Sequence, residues 1–155
     1  MERDTDKERL RAVMTPKEIT DQMEHLASAE DFASRSEYLV DRWNSGNVGF
    51  EAVEPILRFM EEHPSIEFGM PGALVHFVEN FHQSGYEEKL LGSISRRPTQ
   101  HTVWMVNRLI NGTTEPAARQ RLITLMAHAK SNPLVDSDTV DQINRFLKRL
   151  GMSGM

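Results

Sequence analysis

The chain has 155 residues, 39% of them hydrophobic and 26% charged, with a formal net charge of −5. That length and composition fit one soluble globular domain able to bury a core. No apolar run nears the roughly 20 residues of a membrane span, the start MERDTDKERLRAV lacks the apolar middle of an export signal, and zero cysteines exclude disulfides and thiolate chemistry, which suits a reducing cytoplasm.

Residues 1–14 read as a charged lead-in, 15–150 as a single helical domain and 151–155 as a flexible tail of small residues. Thr15-Pro16-Lys17-Glu18 starts the first helix, with Thr15 as cap, Pro16 in the first turn and Glu18 closing a capping box. Ile19, Met23, Leu26 and Ala27 share its inner face. A second helix over about 31–43 gathers Phe32, Leu39, Val40 and Trp43, and Asn44-Ser-Gly-Asn47 ends it with residues that tolerate left-handed backbone. A third, over about 48–62, buries Phe50, Val53, Ile56, Leu57 and Met60. Pro55 forces it to kink or to begin later than Phe50.

Pro71 then opens a helix that places Leu74, Val75, Phe77, Val78 and Phe81 on one side and His76, Glu79, Asn80 and Gln83 on the other. A short helix around 86–96 turns Leu90, Leu91 and Ile94 inward. Pro98 precedes a helix over 102–111 with an inner arc of Val103, Met105, Val106, Leu109 and Ile110. The seventh begins near Glu115-Pro116 and aligns Ala118, Leu122, Leu125, Met126 and Ala129; the last carries Val140, Ile143, Phe146, Leu147 and Leu150.

No useful β alternation interrupts this series, so the fold class is all-α with about eight helices. His63-Pro64, Arg97-Pro98 and Asn132-Pro133 end helices at separations of 34 and 35 residues. That is the size of a two-helix repeat, and it favours stacked antiparallel pairs, a HEAT-like α-solenoid, over a closed helical bundle.

Charge is unevenly spread. Through Glu62 there are 15 acidic and 8 basic residues, and from His63 onward 8 and 10. An acidic half argues against direct nucleic-acid binding and suits a basic protein partner, or simply a solvated face.

Chemistry is sparse. Glu79-x-x-His82 has the spacing of carboxylate-bridged metal bundles, but no second Glu-x-x-His exists, so no metal or other cofactor is expected. There is no phosphate loop, nucleophile elbow or H-E-x-x-H, and the expectation is a protein that is not an enzyme. Gly69-Met-Pro-Gly72 reads as a tight turn into a helix, although bared amides there could hold an anion. The polar stripe Trp104, Asn107, Arg108 and Asn111, with His76 on the preceding long helix, reads as an inter-helix seam or an alternative binding face. Trp and Arg are the residues that dominate interfaces.

Gly69-x-Pro71-Gly72-x-Leu74-Val75-His76, then Tyr86-Glu87, then Arg97-Pro98-Thr99-x-x-Thr102-x-Trp104-Met105-x-Asn107-Arg108-x-x-Asn111 resembles a pattern of helical immunity proteins from bacterial polymorphic-toxin systems, including contact-dependent growth inhibition. The similarity covers about residues 55–111. It implies a cytoplasmic, non-enzymatic protein that binds a cognate toxin domain, possible nucleases among them, and blocks its active site or substrate entry. Contacts in such systems usually use variable surfaces. The resemblance therefore turns attention to the acidic first half, where Asp31, Glu37, Asp41, Glu51, Glu54, Glu61 and Glu62 could meet a basic toxin. A helical scaffold or adaptor for another partner, and a small helical enzyme or metal protein, stand as the alternatives.

Overall fold

The computed structural model describes residues 14–69 and 72–151. Among them all regular structure is helical: eight α-helices and two short 3-10 turns, and no strand. The expected lead-in (apart from Met14), the tail beyond Gly151 and the role given to Pro71 fall outside the described residues. The helices gather into two compact units. The first comprises residues 14–59 with 65–69 and 72–86, and the second residues 60–64 with 87–151.

In the first unit, α1 (Pro16–Leu26) carries the expected capping box: Thr15 accepts from the Glu18 amide while the Glu18 carboxylate reaches back to the Thr15 amide. Its inner face is narrow, with Ile19 and Met23 fully buried and Leu26 and Ala27 only partly so. α2 (Phe32–Ser45) buries Phe32, Ser36, Leu39, Val40 and Trp43 and packs against α1 and against α4 (Gly72–Glu79). Asn47 sits in the left-handed region (φ 60°) just past the end of α2, as its residue type anticipates.

Pro55 decides where the third helix starts. Phe50–Ala52 form a 3-10 turn and α3 runs Val53–Glu62, which puts the proline in the first turn, where its missing N–H costs nothing. Phe50 is consequently not a core residue: it is 36% exposed and packs edge-on against Phe81, with ring centroids 5.7 Å apart. It also lies over Gly85, whose φ of +108° excludes most side chains and where a Cβ would stand 3.3 Å from the Phe50 ring. Behind it the aromatic contacts continue from Phe81 to Phe77 and from Phe77 to Trp43. A second cluster stacks Phe32 on Phe59 at 5.6 Å, with Phe68 edge-on to both. Phe81 itself lies in the turn after α4 and is half-buried.

The second unit contains α5 (Tyr86–Arg96) beyond its first residue, α6 (Gln100–Asn111), α7 (Pro116–His128), a 3-10 turn at Ala129–Ser131 and α8 (Ser137–Arg149). α6, α7 and α8 each pack on the other two. The five residues expected inside α6 are all buried. Helix starts are made by side chains: Thr99 and Thr102 form a buried reciprocal cap, Glu115 accepts from the Ala117 and Ala118 amides, and Asp136 accepts from Thr139. Ala118 is exposed, because α7 buries only Leu122, Ile123 and Met126. Leu91, Leu125, Val140 and Leu150 are likewise half-buried at the margins of the core.

Two contacts recur along this unit. Arg97 donates to the Glu61 carbonyl at the end of α3 (3.1 Å), and Asn132 donates to the Ser95 carbonyl near the end of α5 (2.9 Å). Each residue standing before a proline thus ties back to a helix end 36 or 37 residues earlier. It does so by satisfying a carbonyl that the helix itself leaves open.

Candidate functional site

A groove of about 500 Å³ lies between α1 and α2 in the first unit. Its floor is apolar, made by Leu39 and the half-buried Leu26. Its two walls are held together from beneath: the Trp43 indole N–H of α2 donates to the Gln22 side-chain carbonyl of α1 at 2.7 Å. Trp43 is itself buried, and the half-buried Gln22 that accepts its bond also lines the groove, so the bond ties the two helices at this point.

The rims are charged. On α1, Asp21 is bonded to Lys17 at 2.8 Å, and that bond, with the accompanying attraction, raises the lysine above its ordinary pKa. His25 follows one turn later. On α2, Arg35 donates to Asp31 at 2.7 Å, and this hydrogen bond holds the Asp31 carboxyl below its ordinary range. Tyr38 and Arg42 complete that rim, with Tyr38 73% exposed. Arg42 has no ion-pair partner among the described residues. The arrangement offers an exposed phenol between two guanidinium groups above an aliphatic floor. That is a composition suited to binding, since Tyr and Arg bury large area and still direct hydrogen bonds.

Of the seven carboxylates expected to meet a basic partner, Asp31, Glu37, Asp41, Glu51 and Glu54 belong to the first unit and Glu61 and Glu62 to the second. Asp31 spends its charge on Arg35 at the start of α2. Glu37 and Asp41 stand exposed one turn apart on α2, on the edge away from the groove. Glu51 is half-buried and accepts from the Gly49 amide at 2.8 Å, a local turn contact, and Glu54 pairs with Arg58 at 3.8 Å. Glu61 is removed from the surface altogether: it is 7% exposed. Its carboxylate takes hydrogen bonds from Ser93 (2.8 Å) and twice from Arg96 (2.9 and 2.7 Å). A carboxylate so enclosed has its acceptors committed within the second unit and offers a partner little surface. Glu62 is exposed.

The polar stripe is divided too. His76 is exposed on α4 in the first unit, whereas Trp104, Asn107, Arg108 and Asn111 lie on α6 in the second. On α6 the Arg108 guanidinium lies 5.0 Å from the Trp104 ring centroid, a cation–π contact within one helix. Trp104 and Asn107 are half-buried, and Arg108 and Asn111 are exposed. Glu79-x-x-His82 does not present both groups from a helix, because α4 ends at Glu79 and His82 belongs to the turn beyond it.

No family model matches the sequence, and neither the curated proteins nor the solved structures yield a match. The groove residues therefore rest on geometry alone. His25, Arg35, Tyr38 and Arg42 were not singled out by sequence patterning, which registers apolar periodicity and leaves the polar side of a helix undifferentiated. One signal was available: Tyr38 stands out of phase with the buried positions of α2, with arginines three residues before it and four after. Those spacings put all three side chains along one edge.

Proposed function

We propose that the chain is a cytoplasmic immunity protein that neutralises a cognate toxin domain by stoichiometric binding, without catalysis of its own. The observation that supports this reading best is the exposed Tyr38, set between Arg35 and Arg42 on a pair of helices locked by the Trp43–Gln22 bond. Interfaces that must bind without rearranging concentrate their energy in a few such side chains on rigid elements. The exposed Glu37 and Asp41 on the neighbouring edge of α2 add a negative margin that would speed encounter with a basic toxin.

The decisive experiment co-expresses the chain with the carboxyl-terminal domain of any polymorphic toxin encoded beside it. Growth should be restored, and the two proteins should co-purify at equimolar ratio. Loss of growth with every adjacent toxin domain, with the chain present as folded protein, rejects the reading.

A second reading, a helical scaffold for some other partner, is favoured by the recurring ties of Arg97 and Asn132 to earlier helix ends. Contacts repeating at the length of a helix pair are what a HEAT-like stack would use. Co-purification of a multi-protein assembly in cells without any toxin gene would support it instead.

A further inference from the structure

Resting on the reading that this chain works by binding protein, we infer that the α1–α2 groove takes an acidic segment of the partner, one that carries a carboxylate beside an apolar side chain. The charges on the rims decide the sign. Asp21 is neutralised by Lys17 and Asp31 by Arg35, each through a hydrogen bond under 3 Å. Arg42 is left with no counter-charge among the described residues, and His25 stands on the opposite wall without a carboxylate bonded to it. The surplus at the groove is positive, although the chain as a whole carries −5. A guanidinium recognises a carboxylate through two parallel N–H donors, which gives the site direction as well as charge.

The floor supplies the second half of the specificity. Leu26 and Leu39 lie at the bottom of the groove, with Tyr38 rising beside them. An aliphatic or aromatic side chain seated there covers both leucines and is flanked by the phenol ring. A basic segment would bring its charge against the unpaired Arg42, and a wholly polar one would leave the leucines wet. The acidic edge of Glu37 and Asp41, on the far side of Tyr38, keeps the same segment from binding one step around the helix.

The test uses the whole chain and needs no identified partner. Random short peptides displayed on phage are selected on the immobilised wild-type protein and counter-selected on Arg42→Glu. Peptides retained only by wild type should carry Asp or Glu next to Leu, Phe or Trp. Once synthesised, they should bind Tyr38→Ala and Arg42→Glu roughly thirtyfold more weakly than wild type, the size of a hot-spot loss. Glu37→Lys, on the other edge, should leave their affinity unchanged or raise it. All three positions are exposed, so the variants should melt as wild type does, which circular dichroism verifies. The inference is overturned by wild-type binders that lack carboxylates, by binders indifferent to Tyr38→Ala and Arg42→Glu, or by a selection that enriches nothing. Each of these can occur whether or not the adjacent toxin is neutralised, and toxin rescue can fail while acidic peptides bind, so the two proposals fail separately.

Discussion

Removing the Glu61 carboxylate should destabilise the second unit by about 2–4 kcal/mol, and the figure follows from its three hydrogen bonds. Ser93 is fully buried, and with Glu61→Ala its hydroxyl loses its acceptor, which costs about 1–3 kcal/mol. Arg96 loses both of its bonds to the carboxylate, but its side chain is 29% exposed and can turn to water. Its share is therefore well below the roughly 3–5 kcal/mol of breaking a fully buried pair. Glu61→Gln keeps the shape and an acceptor for Ser93 while surrendering charge, and should cost about half as much. Urea unfolding followed by far-ultraviolet circular dichroism measures the loss. Amide hydrogen exchange should place it in the last turn of α3 and in α5.

A control separates the two components of this argument. Replacing all three partners by apolar residues of similar size, Glu61→Leu with Ser93→Ala and Arg96→Met, removes the orphaned groups along with the bonds. It should cost less than Glu61→Ala alone. If Glu61→Ala moves stability by less than about 0.5 kcal/mol, the value typical of an ordinary surface change, the carboxylate does not hold this unit and the reasoning is wrong.

Four further outcomes can be checked on the same protein. Trp43→Phe retains most of the buried ring but leaves Gln22 without its donor and loosens the groove; a cost of about 1–3 kcal/mol in urea unfolding is expected, with Trp43→Ala costing more. Thr99→Ala removes a buried cap from α6 and should cost about 1–2 kcal/mol, most of which Thr99→Ser recovers. Thr139 is fully buried, and its hydroxyl has no hydrogen-bond partner among the described residues; Thr139→Val should therefore be neutral or stabilising, and a loss above about 1 kcal/mol would show that the hydroxyl is engaged. Asp31 should titrate by NMR below the 3.8 of an unperturbed aspartate, and Arg35→Gln should raise it by removing the largest of the lowering contacts. Because its folded pKa is depressed, the pair's stabilisation is present above about pH 3.8 and is lost as the pH falls through the folded pKa.

What the sequence revealed and what it concealed divide along a physical line. Capping boxes, prolines and apolar spacing act within a few residues, so the starts of α1 and α7 and the inner arc of α6 were legible. Pro55 was read as a constraint, and only the three-dimensional path resolved it, as a 3-10 turn followed by a helix beginning at Val53. Glu61 is the instructive failure. In the sequence it is one acid beside another at a helix end; in space the groups that bury it, Ser93 and Arg96, come from 32 and 35 residues away. No local rule distinguishes an acid that meets solvent from one that meets a distant arginine.

The groove shows the same limit with the sign reversed. Arg35, Tyr38 and Arg42 carry no local mark in the sequence, because the wall that turns their edge into a cleft is α1, tied through Gln22 to Trp43 at a separation of 21 residues. Charge counting does not resolve this cleft for a related reason. A net balance sums over carboxylates already paired within the chain, and pairing removes Asp21 and Asp31 from the field a partner meets at this cleft. The local surplus that remains is positive on an acidic protein. Binding chemistry at a cleft is set by the charges that folding leaves unmatched, and those become visible only when the helices are brought together.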